Sequence, residues 1–344
     1  MDREGHLTPG RGTIMALIPR VGFHETATPA TTTTALPGAR YGREFISGPL
    51  PGNAIAPQDL RGRFAKLADP WTTTGGGAYV SFKPLPADVA TGKWTTYLSQ
   101  LGAWLRDYPT VAVIVWHEPE NDMAGTQFAA MFNRARTEIK AGWGGARVAY
   151  AAMAYQWRPG GKAATDPGFA KAEADEYLCD VYSGVSFPAA AILPTHAGWL
   201  GWFKTIVVPR LAVGEVVYGP AERGFQGDPK VVAAAIQAEA DWLRQQVAGY
   251  DGSDPSKCPP SVYLAWSTAG TEGDNKWVWT DQARAMFAQI VSALAPAVTA
   301  DWQDGYNKGL ADGKAQLEGA RAQARAGAFG EMAAWAAGQA QGPG

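Results

Sequence analysis

Residues 111–122 read V-A-V-I-V-W-H-E-P-E-N-D. The first five are apolar and mostly β-branched, with no polar residue alternating between them. A strand of that composition is buried on both faces, as in a parallel sheet covered by helices. Immediately after it the character inverts, and His117, Glu118, Glu120, Asn121 and Asp122 crowd the point where the chain leaves the strand. In a closed parallel barrel that point is the C-terminal rim, where barrel enzymes carry their reactive groups.

Working outward, the same alternation of a short apolar run and a longer amphipathic segment recurs. Strands are expected at 13–22, 44–47, 77–82, 111–116, 147–154, 177–182, 210–217 and 261–266. The clearest helices are expected at 93–107, 125–141, 229–249 and 280–294, with weaker ones at 57–67 and 198–207. Pro229 after Asp228 reads as a first-turn proline behind an N-cap, and Asp281 and Gln282 after Thr280 suit a helix start. Eight strand–helix units joined by right-handed crossovers predict an α/β fold, a single (β/α)8 TIM barrel over residues 13–298. A dinucleotide-binding sheet would want G-x-G-x-x-G after its first strand, and residues 21–26 do not supply it. Residues 26–37, rich in Thr, Ala and Pro, read as a long first loop. Residues 299–344 are rich in Ala, Gly and Gln with interspersed charges, and hold too few large apolar residues for a core. They are expected to form a C-terminal helical tail that packs on the barrel or on a partner chain, which makes it the route to an oligomer or larger assembly.

Composition narrows the function. The 344 residues suffice for one barrel, and a net charge of −2 with scattered basic residues argues against a nucleic-acid partner. Neither Cys179, inside an apolar run, nor Cys258 belongs to a disulfide framework or a CxxC pair. His6, His24, His117 and His196 never fall at metal-ligand spacing, so no metal or cofactor is expected. No apolar run reaches the roughly 20 residues of a membrane span. The first twelve residues lack the apolar centre of a signal peptide. Location is therefore left open between an extracellular and a virion-associated protein. Fourteen tryptophans can fill a core or form flat platforms for sugar rings.

A second carboxylate stands in a place matching Glu118. Residues 210–219 read R-L-A-V-G-E-V-V-Y-G, which sets Glu215 inside an apolar run, costly to bury unless it is hydrogen-bonded or functional. Counted along the chain, Glu118 ends strand four and Glu215 ends strand seven. In that pair the sequence resembles the large retaining glycoside-hydrolase clan. Trp116-His117-Glu118 is similar to its mannanase-type branch, glycoside hydrolase family 26, which has His before the acid/base. The helix with Phe128, Phe132 and Arg136, the fifth strand ending near Trp157, and E-Y-L-C-D-V-Y from Glu176 also resemble that branch. The resemblance implies double-displacement cleavage of a β-linked polysaccharide, with Glu118 as general acid/base and Glu215 as nucleophile. It further implies that Tyr182 orients the nucleophile, that His117 bonds it or the sugar, and that Trp266, with Trp116 and Trp157, contacts substrate. Val115-Trp116 replaces the branch's usual Arg-Pro, and Glu120 and Asn121 depart from its pattern, so mannan specificity does not carry over.

Other polar residues have weaker claims. Arg43, Glu25 and Asp180 suit a cleft and a plain rim equally well. Glu222, Arg223, Glu272 and Asp274 read as solvated charges in the loops after strands seven and eight. A competing reading is a barrel that binds carbohydrate without cleaving it, for example as an adhesion module in a phage tail, since fold does not fix function.

Overall fold

A computed structural model describes residues 20–24, 39–213, 216–250, 254–266 and 281–294. The chain divides into two units, Met1–Leu294 and Ala295–Gly344. The second, with the expected tail, lies outside the described residues, as do Glu25, Glu272, Asp274 and the first loop. The first unit is a closed barrel of eight parallel strands in sequence order. They are β1 (Arg20–His24), β2 (Tyr41–Ile46), β3 (Gly77–Phe82), β4 (Val111–Val115), β5 (Arg147–Met153), β6 (Glu176–Ser183), β7 (Val217–Phe225) and β8 (Val262–Trp266). The ring closes through β1 paired with β8, in register from Arg20↔Val262 to His24↔Trp266.

Helices cross between the strands: α1 (Arg61–Thr72), α2 (Thr95–Leu105), α3 (Gly125–Gly142), α4 (Ala197–Trp202), α5 (Pro229–Gly249) and α6 (Asp281–Leu294). Each presents one apolar stripe to the sheet, as Leu98, Leu101 and Leu105 do on α2. Gly102 lets α2 cross α3 closely, because a Cβ there would lie 1.8 Å from the Ile139 carbonyl oxygen. The cap expected for α5 forms, with the Asp228 side chain accepting from the N–H groups of Lys230 and Val231. Among the described residues, no helix is long and apolar enough to cross a membrane.

Two apolar regions result. A large one lies between strands and helices. A small one fills the lumen with Tyr79, Ala112, Ile114, Ala149, Ala151, Leu178, Ala221, Val262 and Leu264. Below it Glu176, at the start of β6, meets Arg20 at 2.5 Å, Arg147 at 2.7 Å and the Tyr79 hydroxyl at 2.7 Å. Burial opposes charge on Glu176, but the two arginines outweigh it and hold its pKa below the ordinary value. The opposite end of the lumen is where the chemistry gathers.

One strand departs from the sequence expectation. Residues 210–213, the start of the run expected as strand seven, are not strand. Arg210 belongs to a helical stretch running from α4 through a π-turn at Phe203–Val207 and on to Leu211. Val213 is 88% exposed, and β7 begins only at Val217. The observed strand, V-Y-G-P-A-E-R-G-F, holds two glycines, a proline and two charges, the composition of a turn. Each finds a reason in three dimensions. A Cβ at Gly219 would lie 1.8 Å from the Val262 carbonyl oxygen of β8. Pro220 sits where the β6–β7 register shifts, from Cys179↔Pro220 to Asp180↔Glu222, a bulge that leaves Ala221 as the extra residue. Ala221 belongs to the lumen cluster, and Glu222 after it faces the barrel mouth. Arg223 then turns outward to the helices.

Candidate active site

The mouth of the barrel collects charged side chains from four strands. Glu118 follows β4, Asp180 lies on β6 and Glu222 on β7, and one carboxylate oxygen from each lies within 4.8 Å of the other two. Arg43 of β2 is fully buried and places Nη2 2.9 Å from Glu222 Oε1. The Tyr182 hydroxyl donates to Glu222 Oε2. Both oxygens of Glu222 therefore face a donor or a positive charge. Asp180 is equally buried, and neither of its oxygens has a hydrogen-bond partner among the described residues.

Three carboxyl groups so close together, opposite one guanidinium, cannot all carry charge. Burial pushes the pKa of each upward, and for Glu118 and Asp180 the neighbouring Glu222 pushes further. Glu118 reaches about 8. Glu222 is the member pulled back toward ionisation, by Arg43 and by the Tyr182 hydroxyl. The arrangement thus separates two roles: a carboxyl that keeps its proton at neutral pH, and a carboxylate held in place by a cation and a phenol. Among the described residues this trio is also the set near enough to ligate one cation together, but Arg43 already supplies the positive charge at Glu222.

Around the carboxyls lie groups that fix geometry. His117 shares a 2.7 Å hydrogen bond between Nδ1 and Ser81 Oγ, and burial, with Arg43 and Lys83 near, holds its pKa well below the ordinary value. It is neutral. Phe45 meets His117 and Trp266 edge-on, with ring centroids 5.2 and 5.7 Å away. Trp266 ends β8 partly exposed, where a ring can lie against it. Trp116 is nearly buried and gives its indole N–H to Asp122 Oδ2 at 2.8 Å, and Lys83 Nζ reaches the same oxygen at 2.8 Å.

The expected residues are therefore sorted. Glu118, His117, Tyr182 and Trp266 come together at the mouth. Trp157 does not join them. It is 2% exposed and donates its indole N–H to Glu120, placing it behind the site as support. Trp116 too is turned into the protein. Glu215 lies outside the described residues, two positions before β7 begins and thus on the strand's N-terminal side in sequence. The carboxylate in the C-terminal half of strand seven is Glu222, which is a strand residue facing the mouth and not the solvated loop charge expected from its sequence context. Arg223 is likewise buried, with hydrogen bonds to Glu239, Ser183 Oγ and the carbonyls of Val181, Ala191 and Gly224. It ties the ends of β6 and β7 to α5 and so fixes the backbone that carries Glu222. The available signal was the helix expected at 198–207, too short to complete its crossover before a strand at 210.

Compared by sequence, the chain matches no protein-family profile and no curated protein. Compared by structure, it is similar to GH5_18 from Streptomyces cattleya in complex with GlcNAc, at TM-score 0.55, 14% identity and coverage of 82% of each chain. A family 39 glycoside hydrolase from the gut symbiont Bacteroides cellulosilyticus gives the same TM-score of 0.55 at 11% identity, over 83% of this chain and 65% of that one. A GH26 β-mannanase from Bacteroides ovatus aligns at TM-score 0.45 and 12% identity, over 81% of this chain and 87% of the other. Its structural neighbours are thus glycoside hydrolases, and the (β/α)8 barrel of this chain is a fold it shares with them.

Proposed function

We propose that the protein is a retaining glycoside hydrolase acting on a β-linked glycan, with Glu118 as general acid/base and Glu222 as nucleophile. The observation that carries this reading is the short gap between the two carboxyl groups, one oxygen of each lying within 4.8 Å of the other. Retaining enzymes hold theirs about 5–5.5 Å apart, whereas inverting enzymes leave room for a water at about 6.5–9.5 Å. Glu222, oriented by Arg43 and Tyr182, attacks the anomeric carbon while Glu118 passes its proton to the departing glycosidic oxygen. The resulting glycosyl ester is hydrolysed when Glu118, now a carboxylate, takes a proton from water that attacks the same carbon from the vacated face. Two displacements restore the configuration. In this reading neutral His117 bonds the sugar, and Trp266 lies against its apolar face.

A screen of β-linked glycans, followed by NMR of the first-formed anomer, tests the reading; an inverted product overturns it. The pH dependence has a defined sign. Glu118 must be protonated to act as acid, and its pKa lies at about 8. The kcat/KM profile therefore stays high through neutral pH and falls as pH rises through about 8. In Glu118→Gln, substrates with acidic leaving groups keep the first step far better than natural glycans, because they need little protonation. Comparing kcat/KM for aryl glycosides of graded leaving-group pKa checks this, and equal losses across the series count against Glu118 as the acid.

A further inference from the structure

Among the described residues, only three non-glycine positions have positive φ: Asn53, Trp116 and Glu118. Glu118 sits at φ 52°, ψ 48°, and Trp116 at φ 60°. Left-handed backbone at such residues is strained and persists only where the surroundings over-determine it. Two strained positions flanking His117 need a restraint, and Glu120 and Asn121 stand where it would act.

Glu120 works from below. It is fully buried, and its carboxylate accepts from the Tyr150 hydroxyl at 2.5 Å, the Trp157 indole at 2.9 Å and the Met153 N–H at 3.1 Å. All three donors belong to β5 or the turn after it, so Glu120 clamps the segment carrying Glu118 to the neighbouring strand end. The Glu118 N–H adds a bond to the Ala151 carbonyl at 2.9 Å. Asn121 works from above. Its Nδ2 donates to Glu118 Oε2 at 3.1 Å, and its Oδ1 accepts from Gln156 Nε2 at 2.8 Å. Gln156 lies in the same turn after β5 as Trp157.

We infer that Asn121, oriented by Gln156 and seated by Glu120, is a positioning residue for Glu118, and that this relay sets the balance between the acid and base halves of the reaction. The inference rests on Glu118 being the acid/base. With Oε2 occupied by an amide donor, Oε1 is the oxygen left to carry the proton to the leaving group. An amide N–H donated to a carboxyl favours its charged form. Asn121 thus opposes the upward pressure from burial, which persists once Glu222 is esterified and uncharged, and keeps Glu118 ionised for the second step, in which it must act as base. Removing the amide leaves Glu118 a competent acid and a poorer base.

The test is a titration together with a kinetic split. In protein carrying 13C-labelled glutamate side chains, the Glu118 signal is assigned by its loss in Glu118→Gln. In Asn121→Ala its titration midpoint is expected to move up by about half a pH unit or more, with Gln156→Ala moving it less in the same direction. In turnover, Asn121→Ala moves the alkaline limb of kcat/KM upward and lowers kcat at neutral pH, as the glycosyl-enzyme accumulates; Asn121→Gln, which keeps the amide, restores part of both. A merely structural role would lower the melting temperature and leave the midpoint in place, and an unmoved midpoint in folded Asn121→Ala overturns the inference. Absence of hydrolysis by the wild type on every glycan tried overturns the catalytic reading instead, because the NMR midpoint can still be read.

Discussion

Glu222→Gln is expected to abolish turnover, with kcat falling on the order of 10⁵-fold or more, while Glu215→Gln stays within about twofold of wild type. An amide has neither the charge nor the leaving ability to form and release a glycosyl ester, so the first displacement stops. Arg43 and Tyr182 remain, and the folded structure should survive, because Gln keeps the shape and still accepts from the Tyr182 hydroxyl. Incubating the wild type with a 2-deoxy-2-fluoro glycoside of an accepted sugar should add one sugar mass to the peptide containing Glu222. Label on the peptide holding Glu215, or full activity in Glu222→Gln, removes Glu222 from the mechanism.

The second large effect concerns stability. Arg223 and Glu239 are both fully buried, 2.9 Å apart, and Glu239 also accepts from the Tyr263 hydroxyl at 2.5 Å and the Leu193 N–H at 2.9 Å. Replacing Arg223 with Met leaves a buried carboxylate without its cation, which costs about 3–5 kcal/mol. Replacing Glu239 with Leu leaves the guanidinium unpaired, with a loss of similar size. At about 2–4 °C per kcal/mol, the melting temperature should fall by roughly 6–20 °C in either single variant. The double variant Arg223→Met/Glu239→Leu should recover much of that loss, because no buried charge is left alone. Calorimetry on the three variants decides it, and losses that simply add would show that the pair does not act as a unit.

Much of the barrel was legible because its strands obey one simple pattern. β4 and β8 are unbroken apolar runs, β3 is one interrupted only by Ser81, and the structure places all three within a residue of their expected limits. α3 and α5 were legible through 3.6-residue periodicity and, for α5, the Asp-Pro start. β7 was hidden because three local demands overrode strand propensity: close approach to β8 at Gly219, a bulge at Pro220, and a lumen carboxylate followed by an outward arginine. Meanwhile L-A-V-G-E-V-V imitated a strand. The site shows the same division. Glu118 could be read from its place at a rim, and Tyr182 from the E-Y-L-C-D-V-Y run. Arg43 and Asp180 were visible only as candidates, since what makes them matter is burial beside Glu222, across strands distant in sequence. Trp157 shows the limit of reading aromatics: an exposed platform and a buried donor to Glu120 look alike in one dimension.

The bulge on β7 also says what kind of sequence change this site can bear. Side chains alternate between lumen and helix layer along a strand, and the bulge absorbs the one extra residue, Ala221, so that Glu222 opposite Asp180 looks inward and Arg223 outward. Replacing Ala221 with another small residue leaves that parity intact. Losing the residue altogether would close the bulge and make Cys179↔Pro220 and Asp180↔Glu222 consecutive pairs, with the carboxylate of Glu222 still inward and the guanidinium of Arg223 still outward. The direction of this strand's carboxylate is therefore set by its pairing with Asp180 rather than by the residue count before it, and a substitution and a deletion at Ala221, different edits to a gene, would leave it facing the same way.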